Sequence, residues 1–358
     1  MNSAVRNVLI TGGRGYIGSV VVPYLRALGY AVTTVDTGWF DQWRLEQAAE
    51  DWARGDIRDL TGRWLSGFDA VVHLAALSND PLGALDPGLT ASINLESTVR
   101  LALLAREAGV KRFLFASSCS VYGSAGSAWV DESSAAKPLT AYAHSKWAAE
   151  RHLLELKANG FAPVILRLAT VYGFSPSLRL DLVANNLTAW AVATGEVRLQ
   201  SNGRAWRPLV HVRDVARAIA AALAAPAQSV DGEVFNVGSD DANYTVLEIA
   251  EAVCSAVPGA HISFAPRAQA DERSYRVHFE KLRQKLPTAI PVVRFETALA
   301  ELAETLRHLG LDAASMRSAC YHRTAQLREL QQAGLLDEAL RWQRMSGPER
   351  PSSTSEVQ

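Results

Sequence analysis

Residues 7–19 read NVLITGGRGYIGS: a short β-branched run, a loop with glycines at 12, 15 and 18, and the start of an apolar helical pattern. Few stretches restrict a fold more. Glycine lets the chain turn tightly from strand to helix, and it leaves backbone N–H groups and a helix N-terminus free to face a pyrophosphate. A glycine motif alone says little, but here the strand, the loop and the helix stand in the order the motif requires.

The alternation continues. AVTTVD (31–36), DAVVHLAA (69–76), RFLFASS (112–118) and APVILRLA (162–169) are short apolar runs, with helical stretches such as TASINLESTVRLALLAREAG (90–109) between them. Buried strands alternating with long helices predict an α/β fold, a Rossmann-type doubly wound parallel sheet with helices on both faces. The pattern loosens after residue 173, where a smaller C-terminal α/β substrate-binding domain is expected. The expected division is 1–173 for the dinucleotide-binding domain, with 206–240 returning to it. Residues 174–205 and 241–307 form the smaller domain, 308–345 a helical extension and 346–358 a disordered polar tail. TAQLRELQQAGLLDEALRWQ (324–343) reads as one or two amphipathic helices packed on the body or on a partner. The segment DTGWFDQWRLEQAAEDW (36–52), rich in Trp and Asp, has no assigned role.

Bulk properties narrow the partners. A net charge of −1 over 358 residues gives no global basic field, so neither nucleic acid nor a membrane surface is expected as a partner. Cys119, Cys254 and Cys320 lie far apart, which argues against disulfides and a structural metal and fits a reducing compartment. The N-terminus runs from a few polar residues into a strand, and ARAIAAALAA (216–225) is too short to span a bilayer, so the cytoplasm is expected.

Candidate chemistry sits at the strand ends. Asp36 closes the second strand; a carboxylate there accepts ribose hydroxyls and repels a 2′-phosphate, favouring NAD. Arg14 is able to face a 2′-phosphate, so NADP stays open. Asp56 and Ile57, in GDIRD, are expected beside the adenine. Tyr142 and Lys146 share one helix face at i, i+4. A lysine beside a tyrosine favours the phenolate and lowers the phenol pKa, making it a proton acceptor or donor. Upstream, FASSCSVYG (115–123) delivers Ser117, Ser118, Cys119 and Ser120 at the tip of an apolar strand. His73 and His211, inside strand-like runs, read as structural, and Cys119 as small buried filler.

TGGRGYIG, GDIRD, HLAA (73–76), SSCSVYG, YAHSK, RPLVHVRD (207–214) and FNVG (235–238) occur in that order over roughly residues 5–290. Together they resemble the extended short-chain dehydrogenase/reductase family, in its nucleotide-sugar epimerase/dehydratase group. The resemblance implies a catalytic set of Ser118, Tyr142 and Lys146. Ser118 would bond the reacting sugar oxygen, Tyr142 would exchange its proton, and Lys146 would hold the ribose. It further implies cofactor contacts from Gly12, Gly15, Tyr16, Ile17, Gly18, Asp36, Asp56, Ile57, Leu74, Ala75 and Ala76. Substrate contacts would come from Ser78, Asn185, Arg207 and Arg273, with Arg179 and Arg204 read as solvated surface. DERSYRVH departs from the group's pattern by ending in His278. Where the group's 4,6-dehydratases carry Asp-Glu, this chain has Cys119-Ser120, which argues against that dehydration. The leading expectation is an NAD-dependent epimerase of a nucleoside-diphosphate sugar, oxidising C4 transiently and dimerising through the helices that begin near residues 90 and 142. A dehydrogenase or keto-reductase on a similar substrate, and a catalytically silent NAD(P)-binding protein, remain the alternatives.

Overall fold

The computed structural model describes residues 5–45, 52–158, 160–269 and 271–343. Seven parallel strands form the central sheet. Their order is Val234–Val237, Ala162–Leu168, Arg112–Ser118, Ala70–His73, Asn7–Thr11, Ala31–Asp36, Trp52–Arg54. This is the doubly wound α/β architecture read from the alternating runs. Alternate side chains leave opposite faces, as strand geometry dictates. Val8, Ile10, Val72 and Leu114 pack under the helices Gly18–Ala27 and Val212–Ala224. Leu9, Val71, Phe113 and Phe115 pack on the other side, against Ser97–Glu107 and Ala141–Glu155.

The strand order reverses between Asn7–Thr11 and Ala70–His73, which creates a crevice beyond their carboxyl ends, where ligands of open α/β sheets bind. Gly12 and Leu74–Ala76 lie there, fastened by Gly12 N–H to Val35 O (2.9 Å) and Leu74 N–H to Thr11 O (3.0 Å). A second layer rests over the crevice. It contains the helices Val183–Thr194, Val246–Ala256 and Phe295–His308 with a small core of their own. Trp206–His211 does not join the large sheet; it pairs with Thr170–Tyr172 and Asn243–Thr245. Among the described residues the C-terminal stretch holds two short 3-10 turns, Ser315–Arg317 and Ala319–Tyr321, and one α-helix, Arg323–Gln332, followed by a short return in which Leu336 bridges Trp342. The expected tail lies outside the described residues, as do residues 46–51 of the Trp-rich segment.

One buried ion pair fixes the helix Ala141–Glu155 to the sheet. Glu150, with no exposed surface, takes three bonds from Arg167 (2.7–3.1 Å) and one from the Ser117 hydroxyl. Arg167 continues to Tyr122 Oη (3.0 Å), and Tyr122 donates to Asn236 Oδ1 (2.8 Å). Removing one partner strands the other charge in the interior. Glu150→Ala is therefore expected to destabilise the fold by about 3–5 kcal/mol, read as a lowered urea midpoint.

Candidate active site

The stretch 117–120 divides its side chains between the interior and one cavity. Ser117 turns back to Glu150, and Cys119 is buried with its thiol donating to Arg167 O (3.3 Å). Burial pushes that thiol pKa well up, so Cys119 is inert filler rather than a nucleophile. Ser118 and Ser120 face a cavity of about 1050 Å³ that spans the crevice and the second layer.

Tyr142 and Lys146 reach the same cavity from the helix Ala141–Glu155. Thr140 caps that helix, accepting from Ala143 N–H (3.1 Å) and donating to Asp80 (2.6 Å). Gly83 packs under Tyr142, where an added Cβ would lie 3.0 Å from the tyrosine's own Cβ. Ser118 shares the cavity with the Tyr142 phenol and acts to lower its pKa, and the Lys146 ammonium donates to Ala116 O (2.9 Å) while standing 5.9 Å from the Tyr142 ring centre.

The electrostatics differ from expectation. The phenol of Tyr142 is not lowered: burial pushes it up to about 12, Asp80 adds to this, and Ser118 and Arg179 only partly oppose it. Burial also pulls Lys146 down to about 7 against the attraction of Glu150. Desolvation penalises both charged forms here, and it outweighs the help that a lysine gives a phenolate.

The remaining expected residues divide clearly. Tyr16, Ile17, Leu74, Ala76, Ser78 and Arg207 line the cavity, and Arg273 stands at its outer wall. Ala75 lies behind, its N–H against Gly12. Asn185 is fully buried off the wall, its amide spent on Tyr16, Gly173 and Arg179 backbone and side-chain groups. Its neighbour Asn186 lines the cavity instead. Asp36, Asp56 and Ile57 do not line this cavity; Asp36 ends the strand Ala31–Asp36, and Asp56 and Ile57 follow the strand Trp52–Arg54. His73 bridges Thr11 and Thr98 (2.6 and 2.8 Å), and His211 caps its helix through Arg213 N–H; both are structural. His278 stacks on Trp129 and pairs with Asp240.

Three features escaped the sequence. Arg204 is exposed as expected, but Arg179 is not surface: it is 5% exposed, lines the cavity, forks onto Asp181 (2.9 Å) and donates to Ser78 Oγ (2.9 Å). Asn94, on a π-turn Ser92–Glu96, grips Leu77 through both backbone groups (2.8 and 3.0 Å) and so positions the loop that carries Ser78. Asp271 joins Arg207 (2.6 Å) and Arg273 (2.9 Å), which makes the two guanidiniums converge on one point. No local pattern in the sequence announces any of these; each depends on chain segments far apart.

A family model described as the NAD dependent epimerase/dehydratase family matches residues 8–238. The chain belongs to that family. It is an NAD-using enzyme of the extended short-chain dehydrogenase/reductase type. This epimerase/dehydratase family member is 30% identical over 299 residues to UDP-glucose 4-epimerase of Corynebacterium glutamicum, covering 78% of this chain and 89% of that one. It is 31% identical over 316 residues to dTDP-glucose 4,6-dehydratase of an Actinoplanes species, covering 82% and 95%. A solved structure, MoeE5 in complex with UDP-glucose and NAD, superposes with a TM-score of 0.74 at 28% identity, covering 85% of this chain and 100% of that one.

The residues present fit the dinucleotide. An added Cβ at Gly12 would sit 2.6 Å from Ala75 N, and one at Gly18 would sit 2.3 Å from Gly12 O, so both positions require glycine. At Gly15 the only neighbour within 4 Å would be Gly12 O at 3.3 Å, leaving that side of the loop open. Asp36 takes backbone N–H bonds from Arg14 (3.0 Å) and Gly38 (2.9 Å), and its oxygens keep lone pairs for a ribose diol. Arg14 does not stand ready for a 2′-phosphate: its guanidinium pairs with Asp41 and lies 4.5 Å over the Trp52 ring.

Lys146 titrates at about 7 in the folded chain and at its ordinary 10.5 when unfolded. Between these values the unfolded chain binds more protons, so stability contributed by this group rises with pH. Lys146→Met is expected to flatten the rise in urea midpoint between about pH 7 and about pH 9.

Proposed function

We propose that this enzyme is an NAD-dependent epimerase of a nucleoside-diphosphate sugar, acting by transient oxidation of a ring hydroxyl, with C4 the favoured carbon. The observation that carries the reading is the content of one cavity. Ser118, Tyr142 and Lys146 meet there, while position 119 is turned into the core and position 120 offers only a serine hydroxyl. The site therefore has the groups for moving a proton at a hydroxyl, and positions 119 and 120 supply no carboxyl pair for expelling water. UDP-glucose 4-epimerases among the relatives point the same way.

NAD, when bound, supplies the acceptor and then the donor of hydride. The chain's own residues do the rest. Ser118 hydrogen-bonds the reacting oxygen and the Tyr142 phenol together, so the proton has a short path between them. Tyr142 takes and returns that proton. Its high resting pKa means that the phenolate forms only as a cation or a bound hydroxyl offsets burial, which couples proton transfer to a filled site. Lys146, with one of its three donors on Ala116 O, has the others for ribose hydroxyls and a positive charge beside the phenol. Arg207 and Arg273, drawn together by Asp271, offer forked donors for a diphosphate, and Arg179 with Ser78 and Asn186 lines the space between. In the same reading the protein is a cytoplasmic homodimer; among the described residues no helix is long and apolar enough to cross a membrane.

Purified protein given a panel of nucleotide sugars should change the sugar's configuration with no net gain of reduced cofactor. Stoichiometric reduction or oxidation would instead make it a dehydrogenase or keto-reductase. Tyr142→Phe is expected to lower kcat by about 10²–10⁴-fold while NAD still binds, as measured by equilibrium titration.

A further inference from the structure

The C-terminal stretch beyond the last large helix crosses from the second layer back to the sheet. Leu311 and Met316 pack on Leu178, Leu302 and Leu306. Leu327, Leu330, Leu336 and Leu340 then pack on Trp39, Leu77 and Leu82, in the loops that follow the strands ending at Asp36 and His73. Its final turn fastens to the residues expected around the adenosine. The Trp342 indole donates to Thr37 O (2.8 Å), next to Asp36. Arg341 pairs with Asp59 and stands 3.5 Å from Asp56. Arg58 forks onto Asp56 and also holds Ala339 O (2.7 Å) and Leu340 O (3.3 Å).

We propose that residues 311–343 are a clamp over the adenosine half of the dinucleotide cleft, which keeps NAD on the protein from one turnover to the next. Two further observations carry this beyond simple packing. Leu340 is the one non-glycine residue among those described with left-handed backbone (φ +55°), although it is buried. Strain of this kind persists where surrounding contacts impose it, and ligand clamps are such places. Arg323, 3% exposed, stacks 4.1 Å over Phe40 and donates to Ser177 and Gln326, yet among the described residues it has no carboxylate in ion-pair reach. Ser177 N–H bonds the Ser175 hydroxyl (3.3 Å), and that hydroxyl donates to Tyr16 O (2.7 Å) on the glycine loop. A buried guanidinium beside a phosphate-binding loop is stabilised by an anion. A segment that blocked the cleft by imitating the dinucleotide would bring negative charge to that loop; this one brings positive charge.

The test uses the full chain loaded with NAD and freed of excess cofactor. Release is followed by trapping free NAD with excess alcohol dehydrogenase and ethanol. Arg323→Gln, and Trp342→Ala combined with Arg341→Ala, are each expected to release NAD about tenfold faster or more, as loss of contacts acts mainly on dissociation. In the unaltered chain, NAD should slow amide hydrogen exchange across 335–343, a readout that stands even if a variant fails to fold. Release within about twofold of the unaltered chain in both variants, or exchange at 335–343 indifferent to NAD, would overturn the proposal. So would an unaltered chain that excludes NAD while the variants take it up, because the segment would then be a barrier.

Discussion

Glu150 and Arg167 form the contact on which the site's geometry rests. The carboxylate belongs to the helix that carries Tyr142 and Lys146, one turn beyond the lysine. The guanidinium belongs to the strand beside the one that ends in Ser118. With Ser117 bonded to the same carboxylate, one charge ties together the two elements that bring Ser118, Tyr142 and Lys146 to one cavity. Burial makes such a pair costly to assemble, and that cost is offset only by good geometry and extra hydrogen bonds, which Tyr122 and Asn236 supply. The arrangement trades stability for position: the helix has little freedom to slide, and Tyr142 keeps its place beside Ser118.

The same low polarity explains the resting state of the site. A phenol near 12 and a lysine near 7 describe a pocket that resists charge of either sign. His73, held neutral by burial beneath the sheet's end, fits this character. Charge becomes favourable only with a bound partner that carries its own dipoles and phosphates. An enzyme of this type gains from that reluctance, because an idle phenolate would have no useful target.

Much of this was legible in the sequence. The strands at 7–11, 31–36, 70–73, 112–118 and 162–168 follow from short apolar runs, and the glycine loop from its spacing. Ser118, Tyr142 and Lys146 were findable because each sits at a strand end or on one helix face. The rest was not local. Arg179 resembles any surface arginine until the second layer folds over it and Asp181 pairs with it. Asn185 and Asn186 are adjacent and chemically identical, and only helix orientation decides which of them faces the cavity. The tyrosine's pKa was misjudged for a related reason: a sequence names the neighbouring lysine but does not show how thoroughly water is excluded from both groups.

The division of Ser117, Ser118, Cys119 and Ser120 between interior and cavity has a consequence for how such chains change over time. Ser117 answers to Glu150 and Cys119 to Arg167 O, while Ser118 and Ser120 share the cavity. A residue inserted or deleted would shift all four at once, turning the thiol toward the cavity and the Ser118 hydroxyl toward the core. This stretch is therefore free to drift in composition but is locked in length.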